Sequence, residues 1–233
     1  MNLYAKMGEI ESRIRNEAEV LTILPLDGHR AYHTKLCDYI TVDGLNMEFG
    51  VYRGTSITTF SNNINGKMIY GFDSFEGLPD KWDDENPQGC FSLNGNIPSG
   101  PLDKQTQVDP GMYSTAMHVA LTGWNPNIKL IKGLVQDTVA PFLKEHDGPI
   151  AFMHMDLDIY SATRSVFLDT QDRLVDGTII AFDELLDYPT YKEHELKAFA
   201  ELLLENKDLD FEPLLYQNNG YSYQQATIRI RKG

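Results

Sequence analysis

Hydrophobic and polar positions divide the chain into a first stretch of mixed polarity and a long remainder in which strand-like and helix-like runs alternate. The first forty residues are helix-prone, with a break at Pro25 and Gly28. From Ala31 to Ile40 apolar residues recur at helical spacing through Leu36, Tyr39 and Ile40. This predicts a small N-terminal helical cap over residues 1–44. From Leu45 the pattern predicts strands over Leu45–Val51, Lys67–Asp73, Asn127–Gly133, Pro149–Asp156 and Gly177–Asp183. Helices are predicted over Gly54–Ile64, Val135–His146, Tyr160–Leu174 and Tyr191–Asn206. Such alternation is the signature of a parallel sheet with crossover helices. Two last strand-like runs, Phe211–Tyr216 and Tyr223–Ile230, flank Asn218-Asn219-Gly220, a hairpin-type turn, so the sheet is expected to close with an antiparallel pair.

One stretch breaks the order. Pro79 to Pro110 is rich in Pro, Gly, Asp and Asn and has little periodicity, which is the composition of a long loop. A loop of that length inside a compact domain is usually a lid, a binding loop or a disordered insertion, and residues 80–110 are read as a lid-like insertion. Met112–Leu121 after it looks helical. No linker separates two halves, so the expected organisation is one α/β domain over residues 1–233.

The charge balance narrows the partners. With 34 acidic and 20 basic residues the net charge is −14, a balance that repels phosphate backbones and anionic headgroups. Nucleic acid and membrane surfaces are therefore not expected partners, and a small molecule is. Met1 to Arg15 carries charges throughout without an apolar core, and later apolar runs are strand-length, so neither export nor membrane spanning is expected. The two cysteines, Cys37 and Cys90, form no C-x-x-C pair and read as reduced thiols. A cytoplasmic protein is the expectation, with a homo-oligomer left open.

In an open parallel sheet ligands bind beyond the carboxyl ends of the strands, where the strand order reverses, so chemistry is sought there. The first strand ends in Glu48-Phe49-Gly50-Val51-Tyr52-Arg53-Gly54. Gly50 lets a ligand approach the backbone and Gly54 suits a tight turn into the helix, but the run is not G-x-G-x-x-G, and a pyrophosphate has no cradle. Glu48 points instead to a cationic group, and Asp73 ends the next strand where an acid takes ribose hydroxyls. Together they suit a nucleoside with a cationic arm. A further group, His154-Met155-Asp156-Leu157-Asp158, meets Asp183-Glu184 from the neighbouring strand end. Asp156 and Asp158 are two apart and share a face if the chain is extended. Four carboxylates in one cleft call for a cation, and all-oxygen ligation favours a hard metal, Mg²⁺ or Ca²⁺, with Mg²⁺ the more natural where waters and substrate oxygens complete the shell.

These runs, together with Gly71-Phe72-Asp73-Ser74-Phe75-Glu76-Gly77-Leu78-Pro79 and the continuation to Ile159-Tyr160, resemble the macrocin O-methyltransferase family over roughly residues 30 to 190. The resemblance implies a Rossmann-like class I methyltransferase sheet and S-adenosylmethionine as cofactor. It implies that Glu48, Gly50 and Gly54 line the methionine end, that Asp73 with Ser74 holds the ribose, and that Gly133, Gln136 and Asp137 lie near the adenine. Asp156, which also faces the cofactor, would bind Mg²⁺ with Asp183 and Glu184, and Asp158 would be the general base. The family usually has two aspartates where this chain has Asp183-Glu184.

The activity implied is Mg²⁺-dependent methylation of a hydroxyl on a small polyhydroxylated acceptor, a sugar-bearing natural product or a catechol-like ring. Two other readings compete. Asp156-Leu157-Asp158 also resembles the metal motif of glycosyltransferases, which would leave Glu48 and Asp73 unexplained, and the fold could serve as a non-catalytic S-adenosyl-binding module. His154 is the second candidate base, although a histidine there is more often a satisfied core residue. His29, His33, His118, His146 and His194 show no convincing ligand spacing and read as surface or loop residues. Tyr160 and Arg164 are possible substrate contacts. Trp82, Phe91 and Tyr113 are candidates for an acceptor-side wall.

Overall fold

The strands with the fewest polar residues become the centre of the sheet. In the computed structural model, which describes residues 1–21, 28–98, 100, 124–217 and 224–233, every residue of Ile150–Met155 is buried. A strand buried on both faces is the mark of a parallel sheet covered by helices on both sides. The strands are β1 (Glu19–Leu21), β2 (Leu45–Phe49), β3 (Ile69–Asp73), β4 (Ile128–Lys132), β5 (Ile150–Met155), β6 (Ile179–Leu186), β7 (Leu209–Gln217) and β8 (Gln224–Lys232). The helices are α1 (Leu3–Glu17), α2 (Gly28–Cys37), α3 (Thr55–Asn63), α4 (Val135–Glu145), α5 (Tyr160–Thr170) and α6 (Glu195–Glu205).

The strands form one 8-stranded sheet in the order β1-β7-β8-β6-β5-β2-β3-β4. Only β8 runs antiparallel, to β6 on one side and β7 on the other. This is the expected mostly parallel, Rossmann-like sheet with an antiparallel C-terminal pair. The hairpin turn at 218–220 and the helix at 112–121 lie outside the described residues, as do residue 99 and residues 101–110 of the insertion. The N-terminal region adds a strand that the sequence did not reveal. Glu19–Leu21 pairs parallel with β7, and a strand of 3 residues is too short to show a period.

Alternation along the central strands sorts side chains into two cores. Met47, Phe49, Met153, Met155, Ile180 and Phe182 face the layer of α1, α4, α5 and α6. Phe152, Ile179 and Ala181 face α2 and α3, where Tyr32, Leu36, Ile57 and Phe60 complete the packing. Among the described residues no helix is long and apolar enough to cross a membrane, and Cys37 and Cys90 are free thiols.

The strand order reverses between β2 and β5. From β2 the chain moves outward through β3 to β4, and from β5 it moves the other way through β6, so the loops after β2 and β5 diverge and leave a crevice at their carboxyl ends.

Candidate active site

The loop after β2 is built around close approach and left-handed backbone. Gly50 has φ +88°, and a Cβ there would lie 1.7 Å from the carbonyl oxygen of Asp156. The Asp156 N–H donates to the Phe49 carbonyl at 2.9 Å, so only glycine lets the two strand ends pass so closely. Gly54, at φ +77°, precedes α3, and a Cβ there would meet the Trp124 ring at 2.2 Å.

Asp73 braces this loop. Its Oδ2 accepts from the N–H groups of Val51 at 2.8 Å and Tyr52 at 2.7 Å, and its Oδ1 accepts from Phe75 N–H at 2.6 Å. The carboxylate keeps a lone pair on Oδ1 for an outside donor. Ser74 caps the same turn by accepting from Glu76 N–H. Gly133 follows β4, its N–H bound to the Asp73 carbonyl at 3.0 Å, and Gln136 and Asp137 are exposed in the first turn of α4.

Glu48 is fully buried on β2. Its Oε1 accepts from the Ser56 hydroxyl and lies 3.4 Å from His154 Nδ1, while Oε2 has no partner. Burial pushes its carboxyl up, against the opposing pull of His154 and Ser56. An unpaired carboxylate oxygen at the strand-reversal crevice is what an ammonium group needs.

The acids beyond β5 and β6 divide into two groups. Asp156, Asp158 and Glu184 bring carboxylate oxygens within 4.8 Å of one another, and so do ligand atoms of His33, His154 and Asp183, and of Glu48, His154 and Asp156. The expectation that Asp183 and Glu184 stand together opposite Asp156 and Asp158 is therefore met only in part. β6 runs on to Leu186 instead of ending at Asp183, so adjacent residues point to opposite faces. Glu184 joins the carboxylates, and Asp183 turns to the imidazoles. The chain after β5 is not extended either. Asp158 sits at φ 62°, a left-handed turn that aspartate tolerates better than most residues.

Electrostatics follow this division. Burial, then the charge of Asp183, pushes Asp158 up to about 7. Asp156 and Glu184 also rise well above the usual carboxylate range through burial and the charge of Asp183. Burial would raise Asp183 too, but His154, His33 and the charge of His29 outweigh it and hold the acid well below that range. For His154, burial opposes the charged ring, yet Asp183 and Glu48 push it up to about 10, whereas burial takes His33 down to about 4.

Several side chains were misread or missed. His33, read as a surface residue, is only 4% exposed and reaches Asp183 Oδ1 at 3.7 Å. With His29 it forms an i, i+4 pair on one face of α2, a ligand spacing that was legible. His154 is buried, but neither ring nitrogen has a hydrogen-bond partner, so it is no satisfied core histidine. Glu195, at the start of α6, is fully buried with both oxygens unpartnered. Burial, then Asp158 and Asp183, drives its carboxyl well up. Its signal was an acid at the i position of the apolar stripe continued by Phe199 and Leu202.

The other candidates have partners within the chain. The Tyr160 hydroxyl donates to Glu201 at 2.7 Å, and Arg164 pairs with Glu201 and Glu205. Arg53 stacks over the Tyr52 ring at 4.9 Å. Trp82 is buried against Tyr188 and Phe91 packs on Tyr52, while Tyr113 lies outside the described residues.

Comparison with known proteins agrees with this geometry. A family model described as a methyltransferase domain matches residues 47–185, more than half of the chain, from within β2 to near the end of β6. Among solved structures, CalS11, a calicheamicin methyltransferase, superposes with a TM-score of 0.57 at 24% identity, covering 97% of this chain and 91% of its own. Its apo structure is described as a TDP-rhamnose 3'-O-methyltransferase. The O-methyltransferase NovP gives a TM-score of 0.57 at 15% identity over 88% of this chain and 80% of its own. An O-methyltransferase from Bacillus cereus in complex with SAH gives 0.52 at 11% identity over 98% and 91%. No curated protein sequence matches. A family match that spans the crevice and the strands around it, on a sheet shared with these enzymes, places the chain in the family of S-adenosylmethionine-dependent methyltransferase domains of class I fold.

Proposed function

We propose that the protein transfers a methyl group from S-adenosylmethionine to a hydroxyl oxygen of a small polyhydroxylated acceptor, as a member of the macrocin O-methyltransferase family. The observation that carries this reading is the shared rim. Gly50 of the β2 loop abuts the backbone of Asp156, so a nucleoside pocket over β2 and β3 and a carboxylate cluster over β5 and β6 meet edge to edge. A sugar-bearing acceptor agrees with the sugar methylation for which CalS11 is described.

The chain's groups fit both partners of this chemistry. The unpaired Oε2 of Glu48 suits the cofactor's ammonium, Gly50 and Gly54 admit its methionine arm, and Asp73 with Ser74 meets the ribose. Gly133, Gln136 and Asp137 border the adenine. The orphaned Oε2 of Glu184 and the crowded oxygens of Asp156 and Asp158 suit a hard cation, and Asp183 would be the further ligand that the family resemblance implies. When bound, the sulfonium supplies an activated methyl, and Mg²⁺ orients an acceptor hydroxyl and lowers its pKa.

The remaining work falls to side chains. Asp158, pushed up to about 7, is poised to take the hydroxyl proton near neutrality. Asp156 sits between cofactor and acceptor and holds the nucleophile in line, because alignment supplies most of the acceleration of a transfer whose donor is already reactive. His154, 1% exposed, positions Glu48 and Asp183 from beneath instead of touching the acceptor.

The test is transfer of labelled methyl to a panel of polyhydroxylated acceptors, with and without Mg²⁺. The expected result is Mg²⁺-dependent labelling on oxygen, with Asp156→Ala lowering turnover about 100-fold or more while calorimetry finds S-adenosylhomocysteine affinity changed only a few-fold. Full activity in excess EDTA would remove the metal from the reading, and binding of S-adenosylhomocysteine without transfer to any acceptor would leave only a binding module.

A further inference from the structure

Three imidazoles converge on one carboxylate oxygen without hydrogen-bonding to it. Asp183 Oδ1 lies 3.7 Å from His33 Nε2, 3.8 Å from His154 Nε2 and 4.0 Å from His29 Nδ1. These separations are too long for hydrogen bonds. They are close to what a shared ion sets, since bonds of about 2.0–2.1 Å to a tetrahedral zinc-like ion hold ligand atoms roughly 3.3 Å apart.

Hydrogen bonds within this pocket leave several buried polar atoms without a partner. Both nitrogens of His154 are buried and unpartnered, which is costly in a packed interior. The amide nitrogen of Gln225 contacts Asp183 Oδ1, His29 Nδ1 at 3.1 Å and His33 Nε2 at 3.3 Å. An amide has two hydrogens for these three acceptors, and its own Oε1 is buried without a partner. Turning that amide over would present Oε1 to an ion. Ligand atoms of His33, His154 and Asp183 thus lie within 4.8 Å of one another, with His29 Nδ1 4.0 Å from the same carboxylate oxygen, and none of the imidazoles hydrogen-bonds to it.

We propose that His33, His154 and Asp183, with His29 closing the solvent side, form a binding site for a transition-metal dication of the zinc class. The ligand set of three imidazoles and one carboxylate suits a borderline metal and disfavours Mg²⁺, so the site differs in kind from the all-oxygen cluster beside it. His29 and His33 come from α2, His154 from β5 and Asp183 from β6. An ion there fastens the N-terminal helix to the two strands that carry the reaction. The His29 side chain, 59% exposed, provides the entry path that a buried metal site needs.

The experiment uses the full chain stripped of metal by a chelator and titrated with Co²⁺, whose visible absorption reports nitrogen ligation. We expect saturable bands at one equivalent, bleached by Zn²⁺ and unaffected by excess Mg²⁺, together with a rise in melting temperature on adding Zn²⁺. His33→Ala should abolish the bands. His29→Ala, at an exposed ring where folding is not at risk, should weaken Co²⁺ affinity about ten-fold or more. Asp158→Asn, confined to the carboxylate cluster, should leave the bands in place. The proposal is overturned if the folded protein, verified by circular dichroism, gives no bands and no Zn²⁺-dependent stabilisation, or if His29→Ala binds as tightly as the parent. It is equally overturned if Asp158→Asn, rather than the histidine variants, removes binding. None of these outcomes depends on methyl transfer or on Mg²⁺.

Discussion

Asp183, Glu184 and Asp187 are close neighbours along one strand and its exit, and each carboxylate is held in a different way. Asp187 is satisfied by the chain itself. Arg15 of α1 donates to both its oxygens, the Tyr216 hydroxyl adds a further bond at 2.6 Å, and the guanidinium holds the acid below its usual range. Asp183 is faced by imidazoles that approach without bonding. Glu184 has neither, and shares a buried space with Asp156, Asp158 and Glu195, whose carboxyls are all pushed up. Where a counter-cation is built in, the acid serves architecture. Where it is missing, the fold holds a cost that a bound ion would relieve. The contrast marks β5 and β6 as the functional edge more sharply than any motif.

Asp158→Asn should break this contrast with the largest effect. Methyl transfer should fall at least about 100-fold, since an amide cannot take the acceptor proton. In the metal-free protein, however, the variant should be more stable at pH 7.5 by on the order of 2 kcal/mol, because it relieves a buried, crowded charge. Asparagine also suits the left-handed backbone at φ 62°. Urea denaturation of both proteins with EDTA present checks the sign, and a destabilised variant would mean that the cluster is not strained.

A pH series sharpens the same point. Asp158 has its folded pKa raised to about 7, above an unfolded value of about 3.9, so between these limits the native state binds more protons than the unfolded one. Its contribution is fully present below about pH 4 and is lost as pH rises toward 7. Asp156, Glu184 and Glu195 shift in the same direction. The metal-free protein should therefore lose stability from pH 5 to 7.5, and Mg²⁺ should recover much of that loss at the upper end. Melting curves across the range with EDTA or Mg²⁺ measure it, and a flat profile in EDTA would count against shared burial of these acids.

Much of this was legible in the sequence, for identifiable reasons. β5 and β6 announced themselves as apolar runs because a parallel strand is buried on both faces, and Glu48, Gly50, Asp73 and Asp156 could be found by looking at strand ends. The facing of Asp183 could not. It depends on β6 continuing to Leu186, and a strand's last residues carry little pattern of their own. His33 and Glu195 carry only a local signal, because each acquires its meaning from a partner far along the chain. The i, i+4 histidine pair on α2 becomes a ligand pair only when β5 and β6 bring His154 and Asp183 beneath it. Glu195 is one acid in an amphipathic helix until folding places it against Asp158. Local periodicity reports which face is buried, while tertiary contact decides what is buried with it.

The smallest effect belongs to the satisfied acid. Asp187→Asn preserves the shape of the contact and the left-handed backbone at φ 65°, and removes the charge that Arg15 meets together with one of the two acceptor oxygens. Because both partners are partly exposed, 36% for Arg15 and 26% for Asp187, solvent screening limits the expected loss to about 0.5–1 kcal/mol at pH 7. The sign of its pH dependence is opposite to that of Asp158. A depressed carboxyl contributes stability above its unfolded pKa of about 3.9 and loses that contribution as pH falls through the lower folded value. Parent and variant should therefore converge in stability below about pH 4 and separate above it, with Mg²⁺ making no difference to the gap. A gap that widened on adding Mg²⁺ would tie Asp187 to the acidic cluster and erase the distinction between the acid the fold neutralises and those it leaves open.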